Sequence, residues 1–198
     1  MADGRARAGD RPVTVRVLPA AGRVAVPWKN GGGVTREIVA RPEGADMGDF
    51  EWRVSLADVG CDGPFSAFAD VDRILTMVEG EGMDLTVGGE HRRVDTRFVP
   101  QRFPGDLPTG CRLLGGPVVN LNVMWHRGAA LAPTVAVTAP RRSLALPAGP
   151  AVLIVALDGA AEAAGVALGR HDAVLLADEE ATLHATGHTA VITLTPKA

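Results

Sequence analysis

Phe50-Glu51-Trp52-Arg53-Val54-Ser55-Leu56 alternates without a break: Phe50, Trp52, Val54 and Leu56 fall on one side, Glu51, Arg53 and Ser55 on the other. A two-residue period marks a β-strand with one apolar face. Residues 118–125 repeat it, setting Val119, Leu121, Val123 and Trp125 against Asn120, Asn122 and Met124. In both stretches the second face is polar. In an open sheet that face meets solvent; in a barrel with an open interior it lines the cavity.

The same reading extends outward. Residues 73–78 and 83–87 flank Glu79-Gly80-Glu81-Gly82 and predict a hairpin; Gly88-Gly89 predicts a second turn before His91. Further strands are predicted at 134–138, 142–146, 151–157, 173–177 and 189–195, with Pro140 ending one strand and Arg141 and Arg142 opening the next. Residues 98–110, rich in Pro and Gly, read as a loop. The Ala-rich run 159–165 is the one helix-like stretch, but it is too short to stand alone and sits where a hairpin belongs. With 24 Gly and 14 Pro punctuating short apolar runs, the class is all-β, a sandwich or barrel. Residues 74–80 also resemble 153–159, each an apolar strand ending in an acid and a glycine, and Gly89-Glu90-His91 resembles Gly169-Arg170-His171. Two related β units are expected, with turn chemistry alone as the competing explanation. The division predicted is 12–130 and 131–198, with 1–11 as a flexible tail.

A chain of 198 residues can bury a core unaided. Its net charge of −3 gives no support to nucleic-acid binding. No apolar run reaches the roughly 18–20 residues that span a membrane, and the first residues lack a secretory apolar core, so a cytoplasmic location is expected. Cys61 and Cys111 are too few for a disulfide framework and lack zinc-site spacing. The five histidines are scattered, and His184 and His188 read as turn or surface residues rather than ligands. No metal and no cofactor are expected.

Three constellations could carry chemistry. The first is residues 27–37, where Gly31, Gly32 and Gly33 are bracketed by Trp28, Lys29, Asn30 and Arg36. Glycines allow close approach to backbone N–H groups, so this is either an anion cradle or a tight turn with solvated flanks. The phosphate-loop spacing is missing. The second is Arg53 with Ser55, and Asn120 with Asn122. A guanidinium suits a carboxylate because its planar fork donates two parallel bonds. The third is residues 58–66, where Asp62 and Ser66 read as turn caps rather than catalysts and Phe65 and Phe68 as apolar plugs.

The runs PWKNGGGVTREI (27–38), FEWRVSLADVGCDGPFSAFADVDRILTMVEGEGMDL (50–85) and GPVVNLNVMWHRG (116–128) resemble the HutD/Ves family. The resemblance implies a cupin-like β-barrel fold in a two-barrel (bicupin) arrangement. It also implies a link to histidine utilisation, through binding of a small metabolite such as N-formylglutamate, formate or urocanate. The residues it carries over are Trp28, Lys29, Asn30, Thr35, Arg36, Arg53, Ser55, Asp62, Phe65, Asn122 and Arg127. Two departures matter. The metal-binding run of ordinary cupins is absent, and Asn120 stands where the family motif usually has an aspartate.

The first expectation is therefore a binding protein that modulates histidine utilisation, holding a small carboxylate metabolite between Arg36 and Arg53. Lys29 or Asn30 would add a hydrogen bond, and Trp28 or Phe65 an apolar wall. An enzyme using Asp62, Glu37 or Lys29 for proton transfer ranks second. A protein-interaction module with an exposed apolar patch and no enclosed pocket ranks third. A homodimer formed through strand edges is a further expectation.

Overall fold

The computed structural model describes residues 14–149 and 151–197; the expected tail at 1–11 lies outside them. Nineteen strands and no helix are found there. In chain order they are β1 (Thr14–Leu18), β2 (Ala25–Pro27), β3 (Gly33–Arg41), β4 (Trp52–Val59), β5 (Gly63–Phe65), β6 (Val71–Glu79), β7 (Met83–Val87), β8 (Glu90–Val94), β9 (Pro100–Pro104) and β10 (Thr109–Leu113). They continue as β11 (Val118–His126), β12 (Leu131–Thr138), β13 (Arg142–Leu146), β14 (Ala151–Ala156), β15 (Ala161–Ala163), β16 (Val166–Leu168), β17 (Ala173–Ala177), β18 (Ala181–Ala185) and β19 (Thr189–Pro196).

These strands make four sheets, ordered β5-β10-β7-β8, β2-β3-β4-β11-β6-β9, β1-β17-β14-β19-β12 and β13-β18-β15-β16. Three apolar clusters stack them in that sequence. Leu75, Met77 and Phe103 of the six-stranded sheet meet Met83, Leu85 and Cys111 of the first four-stranded sheet. The opposite face of the six-stranded sheet, with Trp52, Val54, Leu56, Leu121, Val123 and Trp125, packs on Leu153, Val155, Leu175 and Ile192 of the five-stranded sheet. Ile154, Val174 and Leu183 close the last layer with a wholly apolar filling.

This stacking decides the question left open by the alternation of β4 and β11. The Trp52 face is buried between the two large sheets. The Arg53 face therefore points into the first β unit and not to solvent. The 130/131 division falls between β11 and β12, yet β1 pairs with β17 and so forms an edge of the second unit's sheet.

Two local expectations are corrected. Residues 73–78 and 83–87 do not pair as a hairpin: β6 pairs with β11 and β9, β7 with β8 and β10. The glycine at 80, at φ +101° and with Val118 only 2.6 Å from where a Cβ would stand, turns the chain from one sheet into the facing one. Residues 98–110 are not a loop but contain β9 and the start of β10. Pro100 and Pro104 sit at the two ends of β9, an edge strand, where a missing N–H is tolerated. The strand half of the internal similarity has a structural counterpart, since β6 and β14 both leave a large sheet for a strand of the facing small one. The second half has none: Gly89 closes the β7–β8 hairpin, whereas Gly169 follows β16. The Ala-rich run is the β15–β16 hairpin, turning at Ala164 and Gly165 with φ of 50° and 72°.

A clasp joins the two units at Asp158. Its carboxylate accepts from the His188 backbone N–H at 2.6 Å and faces His188 Nδ1 at 2.7 Å, while Phe98 stacks on the imidazole at 3.9 Å. Burial pushes the Asp158 carboxyl up, but the bonds from His188 outweigh it and hold it below the ordinary carboxylate range. A depressed folded-state value contributes stability above the unfolded pKa of about 4, lost as pH falls through the folded value. Asp158→Asn is expected to cost about 1 kcal/mol at pH 7, a figure kept low because the side chain is a third exposed. Thermal unfolding should show the wild-type advantage shrinking below about pH 4.

Candidate functional site

The inward face of the six-stranded sheet is a ladder of polar rows. Register places Arg53 of β4 and Arg73 of β6 on either side of Met124 of β11. Two strand spacings put their backbones roughly 10 Å apart. The next row holds Glu37, Ser55 and Asn122, and the one beyond it Thr35, Ala57 and Asn120. A cavity of about 570 Å³ opens over this face, within the usual range for small-molecule sites. Its other walls come from Trp28, Lys29, Asn30, Phe65, Ser66 and Phe68, with Val26 and Met47 among its exposed residues.

Arg73 dominates the electrostatics. It is 7% exposed, and no carboxylate among the described residues pairs with it. Its Nε and Nη2 donate to Asn122 Oδ1, each at a long 3.4 Å. The guanidinium lies 5.4, 6.0 and 5.3 Å from the ring centroids of Phe65, Phe68 and Phe103. Cation–π attraction offsets part of the cost of burial. Burial nonetheless pushes its pKa down to about 10, which leaves it charged at neutral pH. A buried, uncompensated cation facing an open cavity is electrostatically suited to an anion.

Of the expected site residues, Trp28, Lys29, Asn30, Arg53, Ser55, Phe65 and Asn122 all line this cavity. Asn30 spends its side chain on the glycine turn, accepting from the Gly32 N–H at 3.0 Å and donating to the Pro64 carbonyl at 3.3 Å. Trp28 donates to Thr35 Oγ1 at 2.7 Å and meets Phe65 edge-on. The triple-glycine turn thus positions the tryptophan wall. The glycine at 33 allows the close approach to β4, because a Cβ there would stand 2.3 Å from the Asp58 carbonyl.

Arg36 and Asp62 stand elsewhere. Arg36 is opposite Leu56, so alternation turns it to the other face of the sheet, where it pairs with Asp58. Asp62 accepts from the Leu113 N–H at 2.7 Å and ties β5 to β10, a structural cap. Arg127 is also outside, bridging Asp72 and Asp106. The arginine that faces Arg53 is Arg73, which the sequence reading passed over because it sits at the start of an apolar strand. The parity of Arg73, Leu75 and Met77 was the available signal, since Arg73 falls on the face opposite Ile74 and Val78. Arg53 carries its own counter-ion: its Nε donates to Glu37 Oε2 at 2.7 Å.

Both cysteines are free; burial, with Asp62 and Asp84 nearby, pushes the Cys111 thiol up to about 11. Ser143 and His184 meet at 2.8 Å on an exposed sheet face. No cluster of three or more potential metal ligands occurs among the described residues. Among the described residues the cavity lining contains no His, Cys, Asp or Glu, so it does not fit a cupin-type metal. No helix among them is long and apolar enough to cross a membrane.

Residues 20–193 match the family model described as HutD. An uncharacterized 21.2 kDa protein in the hutC 3′ region of Pseudomonas putida is 42% identical over 100 residues, which cover 50% of this chain and 52% of that protein. Protein Ves of Cronobacter sakazakii is 36% identical over 101 residues, covering 50% of this chain and 54% of that protein. The chain thus spans about half the length of the curated relatives it matches. The structure of HutD from Pseudomonas fluorescens SBW25, in a formate condition, superposes with a TM-score of 0.82 at 32% identity, covering 93% of this chain and all of that one. A cupin 2 barrel protein from Leptotrichia buccalis shares the fold alone, with a TM-score of 0.55 at 12% identity over 87% of this chain and 92% of that one.

Proposed function

The chain belongs to the HutD family, and from that premise we propose that it binds a small carboxylate metabolite in the cavity of its first β unit and modulates histidine utilisation. The observation that carries the reading is Arg73, a buried guanidinium with no carboxylate partner among the described residues, aimed into a cavity of about 570 Å³. A charge left in that state costs several kcal/mol, and a bound carboxylate repays it with charge-assisted hydrogen bonds. The relative in the hutC region agrees with this choice of pathway. N-formylglutamate and urocanate suit the volume better than formate, which would leave most of it empty. A cytoplasmic location goes with this reading.

The enzyme alternative draws less support from the same geometry. Asp62 is held by a backbone amide outside the cavity, and Glu37 is tied to Arg53. The test is titration calorimetry with N-formylglutamate, urocanate, formate and glutamate, together with an assay for turnover of each. Heat of binding without turnover supports the proposal; absence of heat for all four removes it. Arg53→Ala is expected to weaken binding about tenfold, because Glu37 already shares that guanidinium. The measurement is the shift in Kd by the same calorimetry.

A further inference from the structure

Strand β13 is a sheet edge without the protection that the other edges carry. In the order β13-β18-β15-β16 it pairs with β18 alone, so among the described residues no strand lies along its outer side. Edges are normally blunted by proline, by brevity or by charge. Elsewhere in the molecule, prolines lie in the edge strands β2, β5, β9 and β12, β16 is only three residues long, and β1 and β8 carry charged residues in their interiors. By contrast β13 reads Arg142-Ser143-Leu144-Ala145-Leu146, with no proline and its one charge at the first position. Leu144, at its centre, is 40% exposed.

The two ends of this edge differ in charge. Arg141 and Arg142 stand where β13 begins, exposed and without an ion pair among the described residues. At the other end Leu146 is opposite Ala181 of β18, which brings the exposed Glu180 beside Pro147. Glu180 also has no ion pair among the described residues. An open hollow of about 650 Å³ lies at this acidic end, with Ala145, Pro147, Glu180 and Thr182 in its lining. Its apolar and acidic parts suit the stem and the head of an arginine.

The occupant that this pattern fits is a second copy of the same edge. An antiparallel pair centred on Leu144 sets Leu144 against the partner's Leu144 on a two-fold axis, Ser143 against the partner's Ala145 and Arg142 against the partner's Leu146. Arg141 then falls level with the partner's Pro147 and, one strand further, with the partner's Glu180. Two strand spacings separate those backbones by roughly 10 Å, within the combined reach of the two side chains. Symmetry makes the contact twice. An acidic peptide would answer the basic end alone and meet like charge at the other. We infer that the chain forms a two-fold homodimer through β13, which joins two four-stranded sheets into one of eight strands. A five-residue ladder with two end contacts is small for a dimer interface, so a Kd on the order of 10 μM is expected.

The test is sedimentation equilibrium of the full chain over roughly 1–200 μM, a range that brackets this Kd. Arg141→Glu and Glu180→Arg each set like charges together and should raise Kd at least about tenfold. Mixed in equal amounts, these two variants should form a heterodimer within about threefold of wild-type affinity, because each reversed end then meets an opposite charge. Damage to the fold of either variant does not produce that rescue. Leu144→Lys, which places two ammonium groups at the axis, should also weaken the dimer at least about tenfold. A wild-type chain that stays monomeric, even one that takes up an acidic peptide, overturns the inference. So does a dimer that the single variants leave unchanged, or one that mixing them does not restore.

Discussion

Arg73→Met will abolish carboxylate binding, raising Kd by at least about a hundredfold, and will leave the unliganded protein as stable as wild type or more so. The two effects have one cause. Arg73 is 7% exposed with only long hydrogen bonds to Asn122, so the folded protein bears most of the desolvation of that charge. Three phenyl rings at 5.3–6.0 Å soften the cost without neutralising it. Methionine has a similar length, packs against aromatic rings and carries no charge. Replacing buried charged groups by well-packed apolar side chains of similar volume is often neutral or stabilising by about 1–4 kcal/mol. The lost ion pair and its bidentate bonds cost the ligand about 3 kcal/mol or more, the hundredfold stated. Calorimetry reads the first effect and urea unfolding without ligand the second. A variant destabilised by more than about 1 kcal/mol would show that Arg73 is a structural cation and not a docking point.

Trp125→Ala will destabilise the protein by about 4 kcal/mol and will unfold both β units in one transition. Trp125 is 1% exposed in the cluster where the six-stranded sheet packs on the five-stranded one. The Arg102 guanidinium sits 4.9 Å above its ring. Truncating a buried aromatic side chain removes its transfer free energy and leaves a cavity, together about 3–5 kcal/mol. Both units share this cluster, so neither has a complete core without the other. Circular dichroism and intrinsic fluorescence should give coincident urea midpoints, both shifted. Two separated transitions would mean that the units are stable independently.

Much of this architecture is legible in the chain because its strands obey the simple period of two. The alternation of residues 50–56 and 118–125 marks β4 and β11, and their polar faces mark the cavity wall. Alternation does not say where a polar face points. That depends on the layer packed behind it, which here is the second unit's sheet, contributed by residues distant in sequence. The same limit explains Arg36. Its neighbourhood in the glycine-rich motif suggested convergence with Arg53, but parity against Leu56 turns it to the opposite face, toward Asp58. Arg73 was hidden by its apolar surroundings, since an arginine opening the run Ile74–Val78 reads as a flank. Strand β9 was hidden by its prolines, which an edge strand accommodates and an interior strand does not.

The glycine-rich stretch has a positioning role more than a ligand-wrapping one. Asn30 is consumed by the turn itself, and Trp28 is fixed by Thr35 and Phe65. Lys29 remains at the cavity as the third cation. The motif therefore builds a wall and adds charge, while the arginine ladder of the sheet beneath supplies the depth.

The most direct test of the central claim is a crystal structure of the complex with N-formylglutamate. The account predicts a ligand carboxylate within hydrogen-bonding distance of the Arg73 guanidinium, roughly 2.7–2.9 Å, inside the first β unit. Density for the ligand at any other place, with Arg73 still facing empty or water-filled space, would contradict it.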